Sequence, residues 1–306
     1  MRADAVFEGG GVKAIGFVGA VAELERNGYT WERVAGTSGG GLVAALLAAG
    51  YQAQEMQNLL KEFSFPSLKA PTVWHRWGRI GVALRFWRRL GLYTGQYLEA
   101  WTYRTLKQKG VVTFGDLPAG KLRLVASDIT NGRVVVLPDD LPQYGVDPQR
   151  FPVARAVRMS GSLPFAFDPV ILTTGRRRIV FVDGGLLSNF PVWLFDVKGR
   201  PRWPTFGFRM VAKHEGQART ITGPVSYVKA LIYTMLEAHD KRHVEKADAV
   251  RTIFISDCGI RTTQFDLTDA DKENLYQAGV QAASRFLSRW DFERYVRVYR
   301  TDSVLV

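Results

Sequence analysis

The sequence is poor in cysteine and in long apolar runs. Cys258 is the only cysteine among 306 residues, which excludes an internal disulfide and a metal site built from several cysteines. The longest apolar run, Gly39 to Gly50, is about half the length of a membrane-spanning helix. Residues 1–8 are too short and too acidic for a signal peptide. We therefore expect a cytoplasmic protein, soluble or peripheral at the inner membrane face.

Acidic residues are also in deficit. Lys and Arg outnumber Asp and Glu by 41 to 29, which gives a net charge of +12. Such an excess favours anionic partners, and by itself it does not choose between phospholipid surfaces, nucleic acid and acidic ligands. The hydrophobic fraction of 46% is enough for a full core.

Apolar patterns that alternate between strand and helix predict an α/β fold with a central, mostly parallel β-sheet flanked by helices. No repeat or flexible linker divides the chain, so we expect one domain over residues 1–306. Strands are predicted at Ala3–Phe7, Trp31–Ala35, Leu122–Ser127, Arg178–Val182, Thr205–Val211 and Val250–Ile255, with a hairpin turn at Asn131-Gly132. Helices are predicted at Val12–Arg26, Gly39–Ala49, Gln52–Phe63, Thr94–Gly110 with Thr94 as N-cap, Val225–Lys246 and Thr268–Trp290.

Three short motifs follow predicted strands. The run Gly9-Gly10-Gly11-Val12-Lys13 can turn backbone N–H groups toward an anion at a helix start. Gly36-Thr37-Ser38-Gly39-Gly40 forms a Gly-x-Ser-x-Gly turn, in which small neighbours let a serine project above the sheet. Asp183-Gly184-Gly185 places a carboxylate at a strand end, where α/β proteins build their clefts.

Each motif alone has an alternative interpretation. Gly9-x-Gly11-x-x-Ala14 fits the dinucleotide fingerprint, and a Rossmann-like nucleotide-binding protein stays a second hypothesis. That fingerprint needs an acidic residue at the end of the second strand, whereas Glu32 lies at its beginning. Ser38 could be an ordinary helix cap. Asp183-Gly184 could be a plain turn.

The three motifs in this order resemble the patatin-like phospholipases from Val6 to about Pro191. Further segments similar to that family are Gly91–Gly95, Thr113–Leu117, Ala156–Pro164 and Asp183–Pro191. Lys13 stands where arginine is commoner in the family, and Ala14 where glycine is common. Residues 192–306 match weakly and are expected to supply closing strands and helices of the same domain.

The resemblance implies a three-layer architecture and a Ser-Asp dyad that hydrolyses fatty acyl esters of phospholipids or related lipids. Ser38 would be the nucleophile and Asp183 its general base. Gly9, Gly10 and Gly11 would form the oxyanion hole. Lys13, Gly36, Gly40 and Gly184 would support these groups, and no metal or other cofactor is expected.

A Ser-Asp-His triad, as in ordinary α/β hydrolases, is the rival mechanism. In the usual chain order the histidine follows the acid, which leaves His214, His239 and His243. The last two lie four residues apart in a charged helical segment, as expected of solvent-exposed residues.

The stretch between Glu62 and Glu99 contains no acidic residue. It interleaves arginines with tryptophans, a combination that suits the headgroup region of an anionic bilayer. We expect it to be a lid or a docking segment, while coverage of the core and nucleic-acid binding remain alternatives. The candidate membrane contacts are Trp74, Trp77, Arg85, Trp87, Arg88 and Arg89.

Overall fold

A computed structural model of the chain describes residues 1–211, 220–223, 226, 227, 230, 231, 234 and 246–300. Within these residues the chain forms strands β1 (Arg2–Phe7), β2 (Thr30–Thr37), β3 (Gly91–Tyr93), β4 (Leu122–Asp128), β5 (Arg133–Leu137), β6 (Phe165–Phe167), β7 (Val170–Thr174), β8 (Arg177–Asp183), β9 (Thr205–Val211) and β10 (Thr252–Ser256). All except β3 and β6 belong to one sheet.

The main sheet is mixed and mostly parallel along its central path. Its order is β10-β9-β1-β2-β4-β8-β7, and β5 also pairs with β4. The pairs from β10 to β4 are parallel, whereas β5 and β8 run antiparallel to β4, and β7 antiparallel to β8. The predicted fold class is confirmed.

Helices connect and flank these strands. They are α1 (Ile15–Arg26), α2 (Ser38–Ala48), α3 (Ala53–Glu62), α4 (Gly78–Arg89), α5 (Gln96–Gln108), α6 (Val153–Ser160), α7 (Lys246–Val250), α8 (Asp269–Leu287) and α9 (Phe292–Tyr299). Because α2 is apolar on every side, it is suited to the interior, and nine of its residues are buried.

The two faces of the sheet carry different cores because side chains alternate along each strand. Ala5 and Phe7 of β1 face the main cluster, which contains most of the buried helical residues. Val6 and Ala35 face the other side, where they pack with Val192 and Phe195 in a smaller cluster.

Local sequence signals explain several element boundaries. The predicted hairpin is confirmed, since β4 and β5 pair up to Asp128 and Arg133 on either side of Asn131-Gly132. Thr268 is the N-cap of α8, and its hydroxyl accepts the Asp271 N–H at 3.1 Å. Thr94 is not the N-cap of α5. Gly95 takes that position.

Other expectations need correction or stay open. The helix predicted from Val12 begins with a 3-10 turn at Gly11–Ala14 before α1 starts. Most of the helix predicted at Val225–Lys246 lies outside the described residues. Strands β9 and β10 follow the segment 6–191 yet share its sheet, which supports the single-domain prediction.

Candidate active site

Strand β4 pairs with both of the strands that lead to the proposed dyad, Ser38 and Asp183. Thr37, the last residue of β2, pairs with Val125 of β4. Asp183, the last residue of β8, pairs with the next residue of β4, Ala126. Two strands that end at consecutive positions of a shared neighbour place Ser38 and Asp183 side by side, although 145 positions separate them in the sequence.

Ser38 is the first residue of α2 and lies at a strained turn directly after β2. Its φ of 53° lies in the left-handed region, which costs a non-glycine residue of order 1–3 kcal/mol. The Ser38 N–H donates to the Ser160 hydroxyl at 2.8 Å, and that hydroxyl donates to the Val125 carbonyl at 2.6 Å. The elbow is therefore tied to β4 through one buried serine.

Asp183 is a buried carboxylate with neutral hydrogen-bond donors. Its side chain accepts the Gly185 N–H at 2.8 Å, and the Ser38 side chain is adjacent to it. Burial raises the pKa of Asp183 to about 6, against the lowering effects of Ser38 and of the Gly185 N–H. A carboxylate in this state is a stronger base than an exposed one, and it lies beside the serine.

The glycine loop after β1 lies beside this pair. Among the described residues, the N–H groups of Gly10 and Gly11 donate to no backbone carbonyl. The prediction that Gly9 belongs to the oxyanion hole needs correction, because the Gly9 N–H donates to the Asn189 carbonyl at 3.0 Å. The N–H groups that we expect to form the oxyanion hole are therefore those of Gly10 and Gly11.

Close backbone approaches explain the other glycines of the motifs. A Cβ on Gly40 would lie 2.2 Å from the Glu8 carbonyl oxygen, and one on Gly184 would lie 2.2 Å from that of Val125. A Cβ on Gly36 would lie 2.5 Å from the Gly40 carbonyl oxygen. Lys13 lies in the 3-10 turn Gly11–Ala14 and is half-buried, and its supporting role stays a prediction.

A cavity opens onto Ser38 and Asp183. Its wall is mainly apolar, which suits a fatty acyl chain. The apolar lining includes Leu42, Phe63, Leu68, Leu98, Phe167 and Phe265. Arg158 also lines the cavity, donates to Glu99 at 2.8 Å and keeps a buried Nε that has no hydrogen-bond partner among the described residues.

The basic aromatic segment forms the 3-10 helix Val73–Trp77 and α4. Trp77, Trp87, Arg88 and Arg89 are exposed, and Trp74 is half-buried. The prediction that Arg85 contacts a membrane is wrong. Its side chain is 2% exposed, and both terminal nitrogens donate to the Asp168 carboxylate, at 2.8 and 2.9 Å. A guanidinium enclosed in this way is not available to a bilayer.

The two rival hypotheses depend on other residues, the histidines of a triad and the acidic residue of a nucleotide site. His214, His239 and His243 lie outside the described residues. Glu32, the acidic residue of the nucleotide hypothesis, lies near the start of β2 and pairs with Arg2 at 3.7 Å. Within the described residues, no group of three or more His, Cys, Asp or Glu side chains could hold a metal ion. No helix found there is both long and apolar enough to cross a bilayer.

Three residues around the cleft have roles that the sequence motifs did not predict. Ser160 holds the elbow, Asn189 holds Gly9, and Arg158 supplies a cation to the cavity. All three lie in segments that carry the family resemblance, which was the available signal. Their roles depend on partners distant in sequence, which no local pattern reveals.

The profile of the patatin-like phospholipase family matches residues 5–196. The chain belongs to this family and is a lipid acyl hydrolase. The match covers β1 through β8, and with them the glycine loop, the serine elbow and Asp183.

A relative and two solved structures are similar to this chain. The chain is 42% identical to YqhO of Bacillus subtilis (strain 168) over 303 residues, covering 95% of this chain and all of YqhO. Its fold is similar to VipD from Legionella pneumophila, with a TM-score of 0.57 and 17% identity over 94% of this chain and 66% of VipD. It is also similar to ExoU of the Pseudomonas aeruginosa ExoU-SpcU complex, with a TM-score of 0.52 and 18% identity over 97% of this chain and 52% of the other. At such identities the two structures show the fold alone.

Proposed function

We propose that Ser38 is the nucleophile of this lipid acyl hydrolase and that Asp183 is its general base. The observation that carries the proposal is the position of Ser38 beside a buried carboxylate whose pKa is raised to about 6, with both residues lining one cavity. Because the two residues lie side by side, proton transfer between them needs no intervening histidine. At neutral pH the carboxylate is ionised and can accept the serine proton.

The reaction proceeds in two halves. The Ser38 oxygen bonds to the ester carbonyl carbon while its proton passes to Asp183, and the resulting oxyanion faces the N–H groups of Gly10 and Gly11. The C–O bond to the alcohol then breaks, and Asp183 returns the proton to the leaving oxygen. In the second half, water gives a proton to Asp183 and attacks the acyl-enzyme. Collapse of that intermediate releases the fatty acid, and Ser38 regains a proton from Asp183.

The substrate is a fatty acyl ester of a phospholipid, a lysophospholipid or a related lipid. The apolar wall of the cavity supports binding of the acyl chain. The Arg158 guanidinium supports an anionic or strongly polar group on the rest of the lipid, since this cationic residue lines the otherwise apolar cavity. Headgroup and acyl position follow from the shape of the cleft.

The cytoplasm, with access to the inner membrane face, is the proposed location. Two features support it: a single cysteine, which suits a reducing compartment, and a net charge of +12. The cytoplasmic leaflet is rich in anionic lipids and attracts basic proteins.

Product analysis on a panel of phospholipids, lysophospholipids and neutral esters tests the proposal. We expect Ser38→Ala and Asp183→Asn each to lower kcat by about 10⁴-fold or more, since loss of a nucleophile or of its base has this size in serine hydrolases. The released fatty acid is quantified by mass spectrometry, with circular dichroism as the folding control.

A combined substitution of His214, His239 and His243 by Gln is the matched control. The dyad predicts that this variant hydrolyses lipid at the wild-type rate. A loss as large as that of Ser38→Ala would establish a triad instead. Near-full activity of Asp183→Asn would contradict the role of the carboxylate even if Ser38 proved essential.

A further inference from the structure

We propose that α4 and the 3-10 helix before it dock this enzyme on the surface of an anionic phospholipid bilayer. The inference rests on lipid hydrolysis, but it does not depend on the Ser-Asp dyad. The contact, called the α4 surface below, consists of exposed apolar side chains. Its members are Val73, Trp77, Ile80, Leu84, Trp87 and Phe165.

The α4 surface leaves large apolar groups in water. Trp87 is 85% exposed, Ile80 74% and Trp77 67%. Ile80, Leu84 and Trp87 follow helical spacing, so they share one face of α4. Single exposed apolar residues are common on protein surfaces, whereas a contiguous group of this size marks an interaction site.

The charge around this face selects an anionic partner. At the 3.6-residue period of a helix, Arg79 and Arg88 lie on opposite sides of the apolar stripe, and both are exposed. Arg76 and Arg89 are exposed at the two ends of the segment. Tryptophan beside arginine fits the headgroup boundary of a bilayer that contains acidic lipids. A second copy of the chain would instead bring arginine against arginine.

The α4 surface is joined to the catalytic cavity through β6. Phe86 of α4 stacks on Phe165 with ring centroids 5.8 Å apart. Phe165 begins β6 and is 44% exposed, whereas Phe167, two residues on, lines the cavity. Strand β3 directly after α4 pairs with both residues. A bilayer under α4 therefore lies close to the cavity wall.

Two features fix α4 against the rest of the molecule. The buried pair of Arg85 with Asp168 connects the middle of α4 to the residue that follows β6. Gly81 lets the 3-10 helix approach closely, since a Cβ there would lie 2.0 Å from the Trp74 carbonyl oxygen. Phe165 has a φ of 65°, a conformation that bulky residues avoid. The apolar groups are thus presented to solvent by a built framework.

Vesicle flotation with the full chain tests the proposal. Vesicles of phosphatidylcholine mixed with phosphatidylserine are compared with vesicles of phosphatidylcholine alone. The variants are Ile80→Ser with Trp87→Ser, and Arg79→Glu with Arg88→Glu. The matched controls are Val298→Ser, an exposed apolar residue on α9, and Arg176→Glu with Arg177→Glu, at the exposed β7–β8 turn.

We expect wild type to prefer the anionic vesicles. Loss of the Ile80 and Trp87 side chains lowers the partition constant by about tenfold or more, given the apolar area involved. Charge reversal at Arg79 and Arg88 removes the preference for anionic vesicles. Both control variants bind as wild type does.

Three results would overturn the proposal. The first is wild-type vesicle binding by both α4 variants. The second is an equal loss in the two charge-reversal variants, which would assign binding to net charge alone. The third is a dimer in light scattering that dissociates in the Ile80 and Trp87 variant, which would make the α4 surface a self-association interface.

Hydrolysis of a soluble short-chain ester, measured in parallel, separates this proposal from the proposed mechanism. The α4 variants keep this activity, because their side chains lie outside the cavity. Ser38→Ala loses it and still binds vesicles.

Discussion

Two carboxylates near the cleft have opposite surroundings. Asp183 accepts the neutral Gly185 N–H and lies beside the neutral Ser38 side chain, and burial raises its pKa to about 6. Asp168 accepts hydrogen bonds from both terminal nitrogens of the Arg85 guanidinium. A carboxylate with neutral donors stays available as a base, whereas one paired to arginine acts as a structural anchor.

The regions of the molecule around Asp183 and Asp168 also differ. Asp183 belongs to a buried cleft in which backbone segments meet at glycines. Asp168 anchors a helix whose outer face is exposed to solvent. In our proposals the first region carries out chemistry on an ester and the second contacts the lipid that contains it. Three substitutions test this contrast, from the largest expected effect to the smallest.

Removal of the anchoring cation is expected to have the largest effect on stability. Arg85→Met leaves the Asp168 carboxylate without its cation and lowers the free energy of unfolding by about 3 kcal/mol. Arg88→Met, three residues on at an exposed position, changes it by less than about 0.5 kcal/mol. Urea denaturation followed by tryptophan fluorescence measures both. Equal midpoints for the two variants would show that the pair is no anchor.

Removal of the Asp183 charge is expected to stabilise the protein at high pH. The difference between a pKa of about 6 in the folded protein and 3.8 in the unfolded chain corresponds to about 3 kcal/mol. Above pH 6 the wild-type protein carries this cost, whereas the neutral amide of the Asp183→Asn variant does not, so the variant unfolds at a higher urea concentration. The advantage declines from pH 6 to pH 4, as the wild-type carboxyl takes up its proton. A constant difference across this range would contradict the raised pKa.

The smallest expected effect concerns the tie that holds the elbow. Ser160→Ala removes the acceptor of the Ser38 N–H and lowers kcat by about 10 to 100-fold with an unchanged KM, since misplacement of a reacting group costs this much. Ser160→Thr keeps the hydroxyl and restores most of the rate. A rise in KM with a constant kcat would assign Ser160 to substrate binding instead.

The sequence predicts the cleft well because its motifs are local. Gly36-Thr37-Ser38-Gly39-Gly40 and Asp183-Gly184-Gly185 each combine a strand end with small residues, and both lie where expected. The hairpin at Asn131-Gly132 is equally local. Short edge strands such as β7, by contrast, carry a weak alternating pattern that is hard to separate from loop sequence.

What the sequence does not reveal depends on distant partners. Arg85 looks like the other arginines of its segment, and only Asp168, 83 residues away, makes it an anchor. Ser160 lies 122 residues from the N–H group that it holds. Gly9 is indistinguishable from Gly10 in sequence, yet the carbonyl of Asn189 occupies its N–H. Long-range pairing of this kind is set by the assembled sheet.

The pH dependence of Ser38 phosphonylation by a fluorophosphonate tests the central claim most directly. Peptide mass spectrometry gives the rate of adduct formation at Ser38. The account predicts a plateau above an apparent pKa of about 6 and a tenfold decline per pH unit below it, both in wild type and in the variant without His214, His239 and His243. Asp183→Asn should show slow labelling with no such titration. An adduct on another residue, or the same profile in Asp183→Asn, would contradict the account.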